Sequence, residues 1–320
     1  MRSLILGLAL AIAGISTALA DPPSFRAGVT RMTVQDATPF DVLIAYPTEA
    51  AEVSVEEGPF RFSASRDVAI APGARFPVVL FSHGGGRRPG TPLGHGNLLL
   101  HLAREGFIVI APFHPASERP FVDRPRHIHK ALDSVLADPR FSNRADPDRI
   151  GMMGFSFGGA VTLIVAGANI DLAHLSAYCH DHADDSRACE GIATDGSWAK
   201  VPPGRKSDDA LPLKALVLLE PYGAPFGPKG LGSLDLPMLI YSATQSDLRP
   251  EGNALALAQA IPKPPQQVAV PGSHFVFVDP CAPILAARAP EACSDPPGTD
   301  RAAIHQRFRR EIVAFLRANL

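Results

Sequence analysis

Short, unbroken apolar runs recur along the chain, and between them lie stretches whose apolar residues return every three or four positions. Residues 78–82 (Val-Val-Leu-Phe-Ser), 107–111 (Phe-Ile-Val-Ile-Ala) and 214–219 (Lys-Ala-Leu-Val-Leu-Leu) carry no polar alternation. That is the pattern of parallel strands buried on both faces. Residues 238–242 and 267–270 give two further strand signals. Residues 98–103 predict a helix that Gly106 ends, and residues 126–137 another, with Ile128, Leu132, Val135 and Leu136 as its apolar positions. Residues 252–261 and 302–318 add two more, the last one amphipathic. Near the start, residues 40–47 read as a strand that Pro47 ends, and residues 60–70 are expected to pair with it as an antiparallel edge. Strands alternating with helices predict an α/β fold with a mostly parallel central sheet flanked by helices. The rhythm breaks at residues 169–213, which are polar, rich in Asp, His and Pro, and read as an inserted cap over the sheet.

At 320 residues the chain can bury a large core. No repeat, linker or composition step divides it, so residues 21–320 are expected to form one domain. Residues 1–20 stand apart. Arg2, an apolar run over residues 4–15 and Ala18-Leu19-Ala20 before Asp21 have the layout of a cleaved signal peptide. The run is too short to span a bilayer comfortably, which predicts a periplasmic or secreted protein with no stable membrane span after cleavage. A formal net charge of −2 offers no basic footprint for nucleic acid. In an oxidising compartment the four cysteines are expected to pair locally, Cys179 with Cys189 and Cys281 with Cys293. No C-x-x-C spacing is present to suggest redox or zinc chemistry.

The stretch with most chemical content is Gly154-Phe155-Ser156-Phe157-Gly158, which fits G-x-S-x-G. An apolar strand precedes it and residues 160–166 follow as a helix former, so Ser156 is placed on a sharp strand-to-helix turn with its hydroxyl exposed. A serine hydroxyl is a weak nucleophile until a base lies within hydrogen-bond reach. On such a fold the order along the chain is serine, acid, histidine. Of the eleven histidines, His274 in Pro271-Gly272-Ser273-His274 falls in the loop after the last strand, where the base is expected.

Two carboxylates compete for the acid. Asp247 follows the strand at residues 238–242, the commonest position, though Ser246 sits where the spacing would place the acid. Glu220 ends the strand at residues 214–219, where a buried carboxylate needs a partner such as an imidazole. The backbone N–H groups of Phe157, at a helix N-terminus, and of Gly85, in His83-Gly84-Gly85-Gly86, are the candidates for an oxyanion hole.

Phe81-Ser82-His83-Gly84, Gly154-Phe155-Ser156-Phe157-Gly158-Gly159 and Gly272-Ser273-His274 together resemble the α/β-hydrolase superfamily. More narrowly they resemble its exported dienelactone-hydrolase branch and the platelet-activating-factor acetylhydrolases. The resemblance covers residues 40–320. It implies an α/β-hydrolase fold, no cofactor, and hydrolysis of a small or medium ester through an acyl-enzyme. Glu220-Pro221-Tyr222-Gly223-Ala224-Pro225-Phe226-Gly227 is similar to the acetylhydrolases' acid segment, D-x-aromatic-x-x-P-x-G, with Glu for Asp, and this points to Glu220. Two departures limit it. Dienelactone hydrolases use a cysteine where this chain has Ser156, and the insertion at residues 169–213 exceeds that of the acetylhydrolases. The same apparatus would serve a lipase, acyltransferase or polyester hydrolase; a catalytically silent binding protein is the alternative from another class. Residues 180–185 (His-Asp-His-Ala-Asp-Asp) have ligand-type side chains, but solvated loops commonly look the same, and no metal is assigned. His114 is expected either to line the pocket or to be structural. Arg87 and Arg88 are expected either to draw in an acidic substrate or to be surface charge.

Overall fold

The computed structural model describes residues 25–86, 90–189 and 210–320. The expected signal segment, Arg87, Arg88 and the middle of the insertion lie outside the described residues. The strands are β1 (Arg26–Val34), β2 (Phe40–Thr48), β3 (Val53–Glu57), β4 (Phe60–Arg66), β5 (Phe76–Ser82), β6 (Ile108–Pro112), β7 (Ala145–Phe155), β8 (Ala215–Leu219), β9 (Met238–Ala243) and β10 (Gln266–Val270). They form one sheet in the order β10-β9-β8-β7-β5-β6-β2-β1-β4-β3. From β10 to β6 every pairing is parallel, while β2 runs antiparallel to both β6 and β1.

The unbroken apolar runs are explained by two cores. Val78, Leu80, Ile108, Ile110, Met152, Leu216 and Leu218 point to one face. There they meet helices α2 (Pro120–Ala137) and α3 (Phe157–Val165). Their sequence neighbours Val79, Phe81, Val109, Met153, Phe155, Val217 and Leu219 point to the other. That face is covered by α1 (Gly96–Arg104) and the closing α10 (Arg301–Asn319). A strand with helices on both sides has no polar face, because side chains alternate while both faces are buried.

Between α3 and β8 the described part of the insertion forms α4 (Leu172–Asp181) and α5 (Ser186–Cys189). Asp171 caps α4 by accepting the His174 N–H at 2.9 Å. Past β8 come α6 (Pro228–Leu231) and α7 (Ala254–Ala260), then α8 (Pro283–Arg288) and α9 (Pro290–Cys293) before α10. Both cysteine pairs are bonded as expected, with Cα–Cα distances of 5.4 Å for Cys179–Cys189 and 5.6 Å for Cys281–Cys293. Cys179 and Cys189 join α4 to α5, while Cys281, in the coil before α8, is tied to Cys293 at the end of α9. Among the described residues, no helix is long and apolar enough to cross a membrane.

Three expectations about elements need correction. Residues 60–70 do not pair with β2; β1 lies between them, and β4 pairs parallel with β1 and antiparallel with β3. Arg26, Thr30, Arg31 and Thr33 break up the apolar residues of β1, which hid it as a strand. Helix α2 begins at Pro120, not at residue 126: Pro120 suits the first turn, and the helix continues through Pro125 at the cost of one backbone N–H donor. Residues 252–261 divide into a 3₁₀ turn, Pro250–Gly252, and α7.

Candidate active site

The parallel strands end together on one edge of the sheet. Ser82 is level with Gly154, Phe155 with Leu219, Leu219 with Tyr241, and Ala243 with Val270. Loops leaving these carboxyl ends collect residues from distant parts of the chain, and this is where open α/β sheets bind ligands. The glycine turn at residues 83–86, Ser156, Glu220, Asp247 and His274 all follow strand ends on this edge.

Ser156 sits at φ 54°, ψ −120°, between the last residue of β7 and the first of α3. A non-glycine residue with φ in this range is strained, and such strain persists only where the surroundings enforce it. Here the Ser156 N–H donates to Leu219 O at 2.9 Å, and Ser156 O accepts from Tyr222 N at 3.0 Å. The flanking glycines answer to crowding. A Cβ on Gly154 would lie 2.1 Å from Gly158 O, and one on Gly158 would lie 1.9 Å from Ser82 O. No larger residue fits either position.

His274 opens a 3₁₀ turn, His274–Phe277, directly after β10. Its Nε2 is 3.0 Å from Ser156 Oγ. The ring is buried against Phe155, with centroids 5.1 Å apart. Burial pushes its pKa down to about 3; the Arg187 charge acts in the same direction and Asp247 opposes it. The imidazole is therefore neutral at working pH. Its other nitrogen, Nδ1, is buried and makes no hydrogen bond.

The two carboxylates differ sharply. Glu220 is buried, also at positive φ (45°), one residue beyond the Phe155–Leu219 pair and so beside Ser156 on the neighbouring strand. Its Oε2 accepts the Ala243 N–H at 2.5 Å. Burial raises its pKa to about 7, only partly offset by hydrogen bonds from Ser246 and Ala243. Asp247 is half exposed and gripped by Arg187 through both carboxylate oxygens, with Nε–Oδ1 at 2.6 Å. Burial tends to raise its pKa, but Arg187 outweighs that and holds it below the usual range. Arg187 also pairs with Glu291 and lies over the Phe275 ring, so it ties the α5 segment to both neighbouring loops.

On the opposite side of Ser156, Gly85 is at φ +80°, a conformation suited to glycine. Phe157 begins α3, so its N–H is among those without an intrahelical acceptor. Around this loop lies a network not anticipated from the sequence. The Arg124 guanidinium donates to His83 O at 3.0 Å, to Gly86 O at 3.0 Å and, more weakly, to Gly84 O at 3.5 Å. His114 is structural: it sits 3.0 Å from Ser82 Oγ and 3.3 Å from His127 Nδ1, and is buried. The signal for Arg124 was its place on the apolar stripe of α2, with Phe121, Ile128, Ala131 and Val135. Residues 180–185 serve the local structure: Asp184 pairs with Arg249, and Asp185 accepts the Tyr178 hydroxyl at 2.7 Å. Among the described residues no group of three His, Cys, Asp or Glu is arranged to hold a metal ion.

No protein-family model and no curated protein sequence matches the chain. Solved structures do. A ferulic acid esterase from Streptomyces cinnamoneus aligns at a TM-score of 0.63 with 18% identity, over 95% of this chain and 92% of that one. Thermogutta terrifontis esterase 2, phosphorylated by paraoxon, aligns at 0.52 with 15% identity, over 84% and 92%. With the strand order and register above, these matches make the architecture an α/β-hydrolase fold.

Proposed function

We propose that this α/β-hydrolase-fold protein is a serine carboxylic-ester hydrolase working through an acyl-enzyme, as the resemblance to the dienelactone-hydrolase and acetylhydrolase branches implies. The observation that carries the reading is the 3.0 Å approach of Ser156 Oγ to His274 Nε2 on a strained elbow. The Ser156 proton passes to His274 Nε2 as Oγ attacks the ester carbonyl. The carbonyl electron pair moves onto oxygen, where the N–H groups of Phe157 and Gly85 receive it. The tetrahedral adduct collapses, the carbon–oxygen bond to the alcohol breaks, and His274 returns the proton to the departing alkoxide. Water, deprotonated by the same imidazole, then releases the carboxylic acid and restores Ser156.

A histidine held near 3 is a feeble base, so the mechanism needs a carboxylate at Nδ1 to stabilise the imidazolium. We assign this to Glu220. It is buried beside the elbow at a strained position, whereas Asp247 is committed to Arg187. An unpartnered Nδ1 and a carboxyl raised to about 7 are complementary: contact between them would lift the first and lower the second. The two disulfides support a site of action outside the reducing cytoplasm, in keeping with export.

The test is a fluorophosphonate probe with 4-nitrophenyl acetate as substrate. Intact protein should be labelled and should hydrolyse the ester, and Ser156→Ala should do neither. Paraoxon, which phosphorylates the Thermogutta esterase, should inactivate it too. An unlabelled, inert wild-type protein would end this reading.

A further inference from the structure

Arg124 is 1% exposed and meets no carboxylate among the described residues; its partners are the backbone carbonyls of His83, Gly84 and Gly86. Burying a cation without a counter-ion is costly unless hydrogen bonds replace its water. Carbonyls do so without cancelling its charge. The guanidinium carbon lies 5.0 Å from the Phe157 ring centroid, so one side chain touches both segments that offer oxyanion N–H groups.

The geometry has a directional consequence. In a trans peptide, the carbonyl of one residue and the N–H of the next lie in one plane and point in opposite directions. Gly84 O is drawn toward the interior by His83 Nδ1 at 2.9 Å, by Gly90 N at 3.1 Å and by Arg124 at 3.5 Å. The Gly85 N–H must then point the other way. Arg124 also fixes the preceding plane, through His83 O, and holds the Gly86 carbonyl beyond the next peptide. The His83 tautomer agrees: Nδ1–H faces Gly84 O, which leaves Nε2 to accept the His114 N–H at 3.4 Å. Burial, with the Arg124 charge added, holds His83 down at about 3, so this neutral tautomer persists across the physiological range.

We infer that Arg124 is a positioning residue for the oxyanion hole, clamping the carbonyls of residues 83–86 so that the Gly85 N–H is set for the tetrahedral intermediate before substrate arrives. This rests on the esterase reading. A preorganised donor acts on charge that develops in the transition state, so its loss should appear in kcat rather than in KM.

The experiment compares wild type, Arg124→Met and Arg124→Lys with 4-nitrophenyl acetate as substrate and phenylboronic acid as a tetrahedral adduct former. Arg124→Met should lower kcat at least 30-fold with KM within threefold, and should weaken boronate inhibition in parallel. Arg124→Lys keeps the charge but lacks the fork, and should lose about tenfold in kcat. Circular dichroism and melting temperature report whether each variant is folded. If Arg124→Met does not fold, the lysine variant decides. A folded variant with kcat within threefold of wild type, or with losses confined to KM, overturns the inference. Wild-type protein that is itself inert overturns the esterase reading and this inference with it; an active wild type beside an unimpaired Arg124 variant overturns this inference alone.

Discussion

Two arginines flank Ser156, and the chain treats them in opposite ways. Arg124, under the glycine turn, is buried and held by carbonyl oxygens, so its charge is solvated but not neutralised. Arg187, beside His274, is partly exposed and bound to Asp247 and Glu291, so its charge is largely cancelled locally. The difference separates two kinds of control. On the glycine-turn side, a fixed cation and fixed carbonyls would, under the proposed function, favour negative charge on a substrate oxygen. On the histidine side, a cluster of one cation and two carboxylates near the surface tunes how readily the imidazole and Glu220 take up protons, and holds the α5 segment down.

The comparison sharpens most at the acid. If Glu220 orients His274, Glu220→Gln should lower kcat/KM by about 100-fold or more, by analogy with amide-for-acid changes in other triads. Asp247→Asn should cost no more than about tenfold, because its carboxylate faces Arg187. Glu220 must also be ionised to accept the Nδ1 proton. Contact with Nδ1 would bring its pKa down from about 7, so wild-type kcat/KM should rise with pH along an acid limb set jointly with His274, and Glu220→Gln should shift that limb. A larger loss in Asp247→Asn than in Glu220→Gln would move the assignment to Asp247.

Acid should then expose how many histidines the fold keeps neutral. Burial holds His83 and His274 at about 3 and His95, His101 and His127 at about 4, each from an ordinary value of 6.5, and His114 lies well below it. These groups bind protons more readily when unfolded. The stability they confer is fully present above 6.5 and is lost as pH falls from 6.5 toward their folded values. Glu220 works against this between 7 and about 4.5, because it prefers its protonated form when folded. Six histidines outweigh one carboxyl, so the melting temperature should fall on the order of 10 °C between pH 7 and pH 4.5. A melting temperature that stays level across that range would show that these imidazoles are charged in the folded state. Three of the six, His83, His114 and His127, lie on the Arg124 side, so about half of this acid sensitivity belongs there.

What the sequence reveals follows the same division. Apolar runs of the right length gave the central strands, because burial on both faces leaves no polar alternation to confuse. Ser156 and His274 were legible since the elbow has its own spacing and the fold has its own order. Glu220 stood out as a carboxylate ending an apolar strand. Arg124 did not, for Arg119, Arg126 and Lys130 surround it in sequence, and its partners lie about forty residues upstream. An ion pair such as Arg187 with Asp247 joins residues 60 apart and has no local signature at all. Strand β1 escaped because its arginines and threonines interrupt the apolar run that marks the other sheet strands.

The smallest effects should come from the Arg187 cluster. Asp247 and Glu291 are 52% and 71% exposed, so breaking these pairs should cost stability no more than about 1 kcal/mol each. Proton uptake is the better readout. The Arg187 charge lowers the pKa of His274 and that of Glu220, while Asp247 raises both. Arg187→Met should therefore move the acid limb of the kcat/KM profile to higher pH, and Asp247→Asn should move it to lower pH. The directions are the same whichever group controls the limb. Added salt should shrink both shifts, since the cluster is exposed, whereas kcat of Arg124→Met should respond little. Shifts of the same sign in Arg187→Met and Asp247→Asn would mean that the cluster acts by holding the loops in place rather than by its charge.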